Sequence, residues 1–328
     1  MKAIITGISH FVPEHTLTNH DLEHMVETND EWIRTRTGIK ERRILPKDLG
    51  TSYMAANAAQ SVLRKTGTSP DDLDLIIVAT VTPDMMFPNT AALVQKEIKA
   101  GNCWGFDLSA GCSGFVYAMA TGSQFIESGR HRKVMVIGAD KMSAIVNYED
   151  RNTCVLFGDA AGAVLLEPSS DDEYGITDFS LRLDGEGADS LNMPAGGSLM
   201  PASYETVKNK LHFLYQDGRT VFKHAVTRMA GITASLLEKN RINRQNIKAF
   251  IPHQANLRII DAVAKKIDLD SDQVIINIEK YGNTTAATIP LAMSEAHENG
   301  VFQPGDWVIM AAFGAGYTSG SLLLKWAI

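Results

Sequence analysis

Apolar runs of strand length alternate with segments of helical period along this chain, and the alternation predicts a layered α/β protein. The expected strands of the first half are Lys2–Ile8, Leu75–Thr80, Trp104–Leu108, Lys133–Ala139 and Gly162–Glu167. Those of the second half are Ile176–Leu183, Lys248–Ile251, Val274–Ile278, Trp307–Ala312 and Ser321–Trp326. Between them, Thr51–Lys65, Gly114–Ser128, Val221–Asn240, Leu257–Ile267 and Ala286–Glu298 have the spacing of helices.

The two halves can be laid on each other. Cys112 follows one strand, opens a helix and precedes a strand around Gly138; Asn283 stands in the same relation, at the same interval, to a strand around Ile309. The next turns also match, Phe157-Gly158-Asp159-Ala160-Ala161-Gly162 against Phe313-Gly314-Ala315-Gly316-Tyr317. Any α/β chain has some self-similarity, but paired glycine-rich turns favour a duplicated unit. The expected division is 1–170, carrying Cys112, and 171–328, carrying His253 and Asn283.

Composition narrows the class. With 45% hydrophobic and 21% charged residues and a mean hydropathy of -0.08, the chain is that of an ordinary enzyme with length for a large core. A net charge of -7 argues against nucleic acid as the main partner. No apolar run is long enough to span a membrane, and the first residues read as a strand rather than a leader. Three cysteines are too few and too unpatterned for a disulfide frame or a zinc site, so a reducing cytoplasm is the expected compartment.

Three side chains at strand-to-helix junctions could carry chemistry. Cys112, between glycines in Gly111-Cys112-Ser113-Gly114, sits where a helix start favours a thiolate; a small buried hydrophobe is the alternative. Cys103 and Cys154 lack that setting. His253, in Pro252-His253-Gln254-Ala255-Asn256, ends a strand and faces a cleft, with Asn256 able to cap the following helix; a structural loop histidine is the alternative. Asn283, in Gly282-Asn283-Thr284, could equally be a turn or capping residue. No Walker loop or dinucleotide fingerprint is present, which argues against ATP chemistry and hydride transfer.

Together with Trp32-Ile33-x-x-Arg36-Thr37-Gly38-Ile39-x-x-Arg42-Arg43, these motifs resemble β-ketoacyl-[acyl carrier protein] synthase III over essentially the whole chain. The resemblance implies the thiolase fold, a five-layered αβαβα arrangement of two similar halves. It implies an acyltransferase that starts type II fatty acid synthesis by condensing a short acyl-CoA with malonyl-acyl carrier protein, without metal or redox cofactor. Cys112, His253 and Asn283 become catalytic, with the backbone N–H groups of Cys112 and Ala315 as oxyanion donors; family members commonly have glycine at the latter place. Trp32, Arg36, Thr37 and Arg151 match positions that grip coenzyme A, whereas a solvated basic face is the plain reading of Arg36, Arg42 and Arg43. Phe87 matches a residue that closes the acyl pocket of a neighbouring subunit, which implies a homodimer. Arg258, Lys265 and Lys266, on an amphipathic helix whose apolar face is Leu257, Ile260, Val263 and Ile267, would dock the acidic carrier protein, with Lys223 nearby by the same resemblance. The loop 185–201 borders the expected pocket.

Two rival activities share these residues. A secondary-metabolite relative would move the acyl group to a different acceptor, and a cysteine hydrolase would use Cys, His and Asn to release free acid. Neither the primer length nor its branching is legible.

Overall fold

Residues 1–328 are described by a computed structural model. The first sheet holds β1 (Ala3–Phe11), β2 (Leu75–Ala79), β3 (Trp104–Leu108), β4 (Val134–Lys141) and β5 (Asp159–Pro168) in the order β1-β5-β4-β2-β3. β1, β5 and β4 run antiparallel in turn, and β4, β2 and β3 run parallel. The central strands β2 and β4 are buried at every position, which is why they read as unbroken apolar runs.

The second sheet repeats the plan. Its strands are β6 (Gly175–Leu183), β7 (Ile247–Pro252), β8 (Trp307–Gly314) and β9 (Thr318–Lys325), ordered β6-β9-β8-β7 with the same succession of senses. The expected fifth strand, Val274–Ile278, does not form; only one parallel bridge joins Val274 to Phe250. Pro252, at the end of β7, has no N–H to continue the ladder. The Gln254 side chain takes over instead, donating to Ile275 O at 3.1 Å and accepting from Asn277 N at 3.2 Å. Ile278 then enters a short helix, Ile278–Tyr281.

Helices fill three further layers. α1 (Asp30–Thr37) stands apart from the layers; the sequence pattern does not reveal it because only Ile33 and Thr37 of its residues are buried. α2 (Thr51–Thr66) and α3 (Thr90–Ile98) cover the outer face of the first sheet. α4 (Gly114–Glu127) and α7 (Thr288–Glu298) lie between the sheets, and α5 (Gly218–Lys239) and α6 (Leu257–Lys266) cover the second sheet. The result is the expected αβαβα stack. Phe115, Met119, Ile289, Met293 and Trp326 belong to the apolar cluster that joins the two sheets through the central helices.

Two local expectations change. The buried face of α6 is Ile259, Ile260, Val263 and Ala264, with Ile267 at its end; Leu257 packs below Gly38 at the end of α1. Arg42 is not on a solvated face: it is fully buried and donates to Leu17 O, Asn19 Oδ1 and Val155 O. Burial without a carboxylate partner pushes its pKa down to about 10. No helix is long and apolar enough to cross a membrane.

Candidate active site

A cavity of about 910 Å³ opens at the junction of the halves, and Cys112, His253 and Asn283 all line it. Cys112 lies in a tight turn, Gly111–Ser113, that leads into α4. Gly111 takes φ +55°, which favours glycine. Across the turn lies the loop after β8. A Cβ on Gly314 would fall 2.5 Å from Cys112 N, and one on Gly111 would fall 2.7 Å from Ala315 N. Bare glycine backbone therefore lets the two N–H-bearing segments meet. Thr318 Oγ1 ties them, reaching Ala110 O at 2.7 Å and Ala315 O at 3.1 Å. The positive φ in this loop falls at Gly316 (137°) and not at Ala315, so the alanine is unstrained.

His253 extends β7 by one residue, its N–H donating to Ala311 O at 2.8 Å. The ring is buried, with Nδ1 2.7 Å from Thr288 Oγ1 at the start of α7. Burial alone pushes its pKa down to about 3, so the imidazole is neutral at physiological pH. Asn256 caps α6 through Arg258 N at 2.9 Å and also donates to Arg36 O at 3.0 Å, joining α6 to α1.

Asn283 is held by its backbone, donating to Leu156 O at 2.8 Å and accepting from Gly158 N at 3.1 Å. Its side-chain Oδ1 accepts from Thr285 N at 2.9 Å. That bond assigns the amide: the oxygen is turned back to the loop, which leaves the NH₂ as the free donor. Thr285, at φ +51°, is itself anchored, since its hydroxyl and Ala286 N–H both donate to Asp140 Oδ2. Asp140 is fully buried at the end of β4, and its other oxygen accepts from Val81 N, Thr82 N and the Thr80 and Thr82 hydroxyls. A carboxylate of one half thus holds the Asn283 loop of the other.

The thiolate expected for Cys112 is not supported. Burial, and after it the Asp140 charge, push the thiol up to about 12. A helix N-terminus is worth about 0.3–1 kcal/mol, less than one pH unit of pKa, and loses to that burial. Desolvation at the site thus favours the neutral thiol and the neutral imidazole, beside the uncharged amide.

Two family models match this chain: 3-oxoacyl-[acyl-carrier-protein (ACP)] synthase III over residues 106–185, and the C-terminal part of the same enzyme over 237–326. It belongs to the β-ketoacyl-[acyl-carrier-protein] synthase III family. A relative of that name from Chlorobaculum tepidum is 53% identical over 329 residues, covering 99% of this chain and 100% of the relative. Another from Phocaeicola vulgatus is 52% identical over 327 residues, covering 99% and 97%. The crystal structure of 3-oxoacyl-[acyl-carrier-protein] synthase III from Aquifex aeolicus superposes with a TM-score of 0.91 at 44% identity, covering 99% of this chain and 100% of that one. The five layers are those of the thiolase fold.

Around the cavity of this synthase III chain, Arg36, Thr37, Arg258 and Ala315 join Cys112, His253 and Asn283, and Leu191, Asn192 and Met193 bring in the 185–201 loop. Trp32 and Arg151 do not line it. The Arg151 guanidinium lies 4.4 Å from the Trp32 ring centre, with Arg36 at 5.0 Å, so a flat ring enters between Trp32 and Arg151 only after the arginine swings away. Phe87 is 85% exposed and is not part of its own chain's cavity lining. Lys223, Arg258, Lys265 and Lys266 are exposed near one another on α5 and α6, and none is in an ion pair. The sequence pattern gives no sign of the apolar wall that α5 supplies (Val221, Phe222, Ala225, Met229), nor of Arg219, Asp140, Thr285 and Thr288.

Proposed function

We propose that Cys112, His253 and Asn283 carry out a decarboxylating Claisen condensation of an acyl-CoA primer with malonyl-acyl carrier protein. The products are 3-oxoacyl-acyl carrier protein, CoA and CO₂, and the step opens type II fatty acid synthesis. The observation that carries the reading is the convergence of a thiol, an imidazole and an amide NH₂ on one cavity whose mouth bears Arg36 and Arg258.

Cys112 attacks the acyl-CoA carbonyl. Its S–C bond forms as the C–S bond to CoA breaks, and the proton the thiol gives up ends on the departing CoA sulfur. The tetrahedral oxygen lies against the N–H groups of Cys112 and Ala315. Malonyl-acyl carrier protein then replaces CoA. Its thioester oxygen accepts from His253 and from Asn283 Nδ2, and these neutral donors stabilise the enolate left when CO₂ departs. The enolate carbon attacks the acyl-Cys112 carbonyl, and the sulfur leaves as thiolate and takes from solvent the one proton that the overall reaction consumes. Neutral donors suit a developing enolate, because a carboxylate beside it would repel the charge. CoA enters as a thioester substrate, and the mechanism draws on no further cofactor.

Trp32, Arg36, Thr37 and Arg151 would hold the nucleotide end of CoA, with Arg151 moving off Trp32 to admit the adenine. Lys223, Arg258, Lys265 and Lys266 would receive the acidic carrier protein; their lack of ion-pair partners supports this. A homodimer is supported by β3, an edge strand whose Trp104 is 49% exposed, and by the bare Met86 and Phe87, 78% and 85% exposed. In that dimer Phe87 would close the partner's acyl pocket. Three free cysteines suit a cytoplasmic enzyme.

Intact-mass spectrometry after mixing with a panel of acyl-CoAs, wild type beside Cys112→Ala, tests the reading. One acyl adduct on Cys112, cleared by malonyl-acyl carrier protein and not by water, is expected, and the primer is named by its mass. Clearance by water alone would point to a hydrolase; clearance only by another acceptor would point to a secondary-metabolite relative.

A further inference from the structure

His253 acts as a hydrogen-bond donor to the thioester oxygen only if its proton sits on Nε2. A neutral imidazole has one N–H, so whatever bonds Nδ1 decides which nitrogen carries it. Nδ1 faces the Thr288 hydroxyl, and Thr288 is 1% exposed. That hydroxyl has a single proton and two candidate acceptors, Nδ1 at 2.7 Å and Thr285 O at 3.0 Å. Hydroxyl donors prefer heavy-atom distances near 2.7–2.8 Å, whereas ring N–H donors prefer about 2.9–3.0 Å. The 2.7 Å contact fits an O–H donated to Nδ1; the competing arrangement is a ring N–H donated to Oγ1 with the hydroxyl proton passed on to Thr285 O.

Asn283 is set by the same loop in the same manner. Thr285 N–H occupies Oδ1 and leaves Nδ2 to donate. Residues 285–288 therefore bond Nδ1 of His253 and Oδ1 of Asn283, and Asp140 anchors that loop to the opposite half.

We propose that Thr288 is a positioning residue for the condensation: its hydroxyl donates to Nδ1, fixes the Nε2–H tautomer of His253, and so makes the ring a second N–H donor beside Asn283. Both donors then face the cavity with no proton transfer needed before malonyl-acyl carrier protein binds. The inference rests on the role given to His253 under the proposed function.

The test uses Thr288→Val, which keeps the shape and removes the hydroxyl, and Thr288→Ser, which keeps the hydroxyl. With Val, malonyl decarboxylation should lose about 10- to 100-fold in kcat, a part of the 10²–10³ that a lost oxyanion donor costs. KM for malonyl-acyl carrier protein and the rate of Cys112 acylation should stay within about threefold of wild type. Ser should restore kcat. A purely structural role would lower both half-reactions and the melting temperature together. Nitrogen-15 NMR of the wild-type imidazole, assigned by its loss in His253→Ala, should show an unprotonated Nδ1 and a protonated Nε2. A protonated Nδ1, or full decarboxylation by Thr288→Val, would overturn the proposal. If His253→Ala itself decarboxylates normally, the role of His253 is wrong; if it is inactive while Thr288→Val is normal, only the inference about Thr288 fails.

Discussion

Titrating the reactivity of Cys112 between pH 6 and pH 10 probes the balance of forces at the nucleophile. A thiol pushed up to about 12 has a thiolate fraction of about 10⁻⁵ at pH 7, against about 3% for an ordinary cysteine near 8.5. The cause is desolvation, reinforced by the Asp140 charge; the short turn before α4 does not offset it. Alkylation by iodoacetamide, followed at the Cys112 peptide by mass spectrometry, should then be slow at neutral pH. It should rise about tenfold per pH unit across the whole range, since the thiolate fraction grows tenfold per unit below the pKa. Cys103 and Cys154 are buried and serve as internal references. His253→Ala should leave the slope unchanged, because a ring whose pKa is pushed down to about 3 is not an imidazolium partner for the sulfur at these pH values. A rate that is flat from pH 6 to pH 8 would refute the reasoning, because only a preformed thiolate behaves so. The sequence pattern, with its helix start, points to that flat profile.

Cys112→Ala should abolish acyl transfer and leave malonyl decarboxylation measurable as CO₂ release, while His253→Ala and Asn283→Ala should suppress decarboxylation by about 10²–10³. A methyl at position 314 would fall 2.5 Å from Cys112 N, so Gly314→Ala should displace the oxyanion donors and slow Cys112 acylation by about 100-fold, read by stopped-time intact mass. Lys266→Glu should raise KM for malonyl-acyl carrier protein by about two- to fivefold at low salt without changing KM for acyl-CoA, and added salt should erase the difference.

Much of the architecture was legible because burial on both faces writes unbroken apolar runs into β2, β4 and β8, and amphipathic spacing into α2, α5 and α6. The Cys112 turn was legible too, because Gly111 must take positive φ and Gly314 must admit Cys112 N, and both demands select glycine. Val274–Ile278 misled: its β-branched run is strand-like, but Pro252 and the Gln254 amide remove the partners a ladder needs. Local sequence carries no trace of a competition settled by residues far along the chain.

What the sequence determined by itself was the repeated α/β plan and the three candidate side chains, Cys112, His253 and Asn283, that the fold gathers on one cavity. Only the tertiary structure decided their chemical states. The Cys112 thiol is pushed up because the assembled halves desolvate it near Asp140, and Asn283 presents its NH₂ because Thr285 N–H claims its oxygen. Arg42, Asp140 and Thr288 read as ordinary surface-type residues along the chain, yet each is buried and bonded across it. Protonation, tautomer and amide orientation depend on desolvation and on hydrogen-bond partners brought from distant segments, and those partners exist only once the two halves have packed.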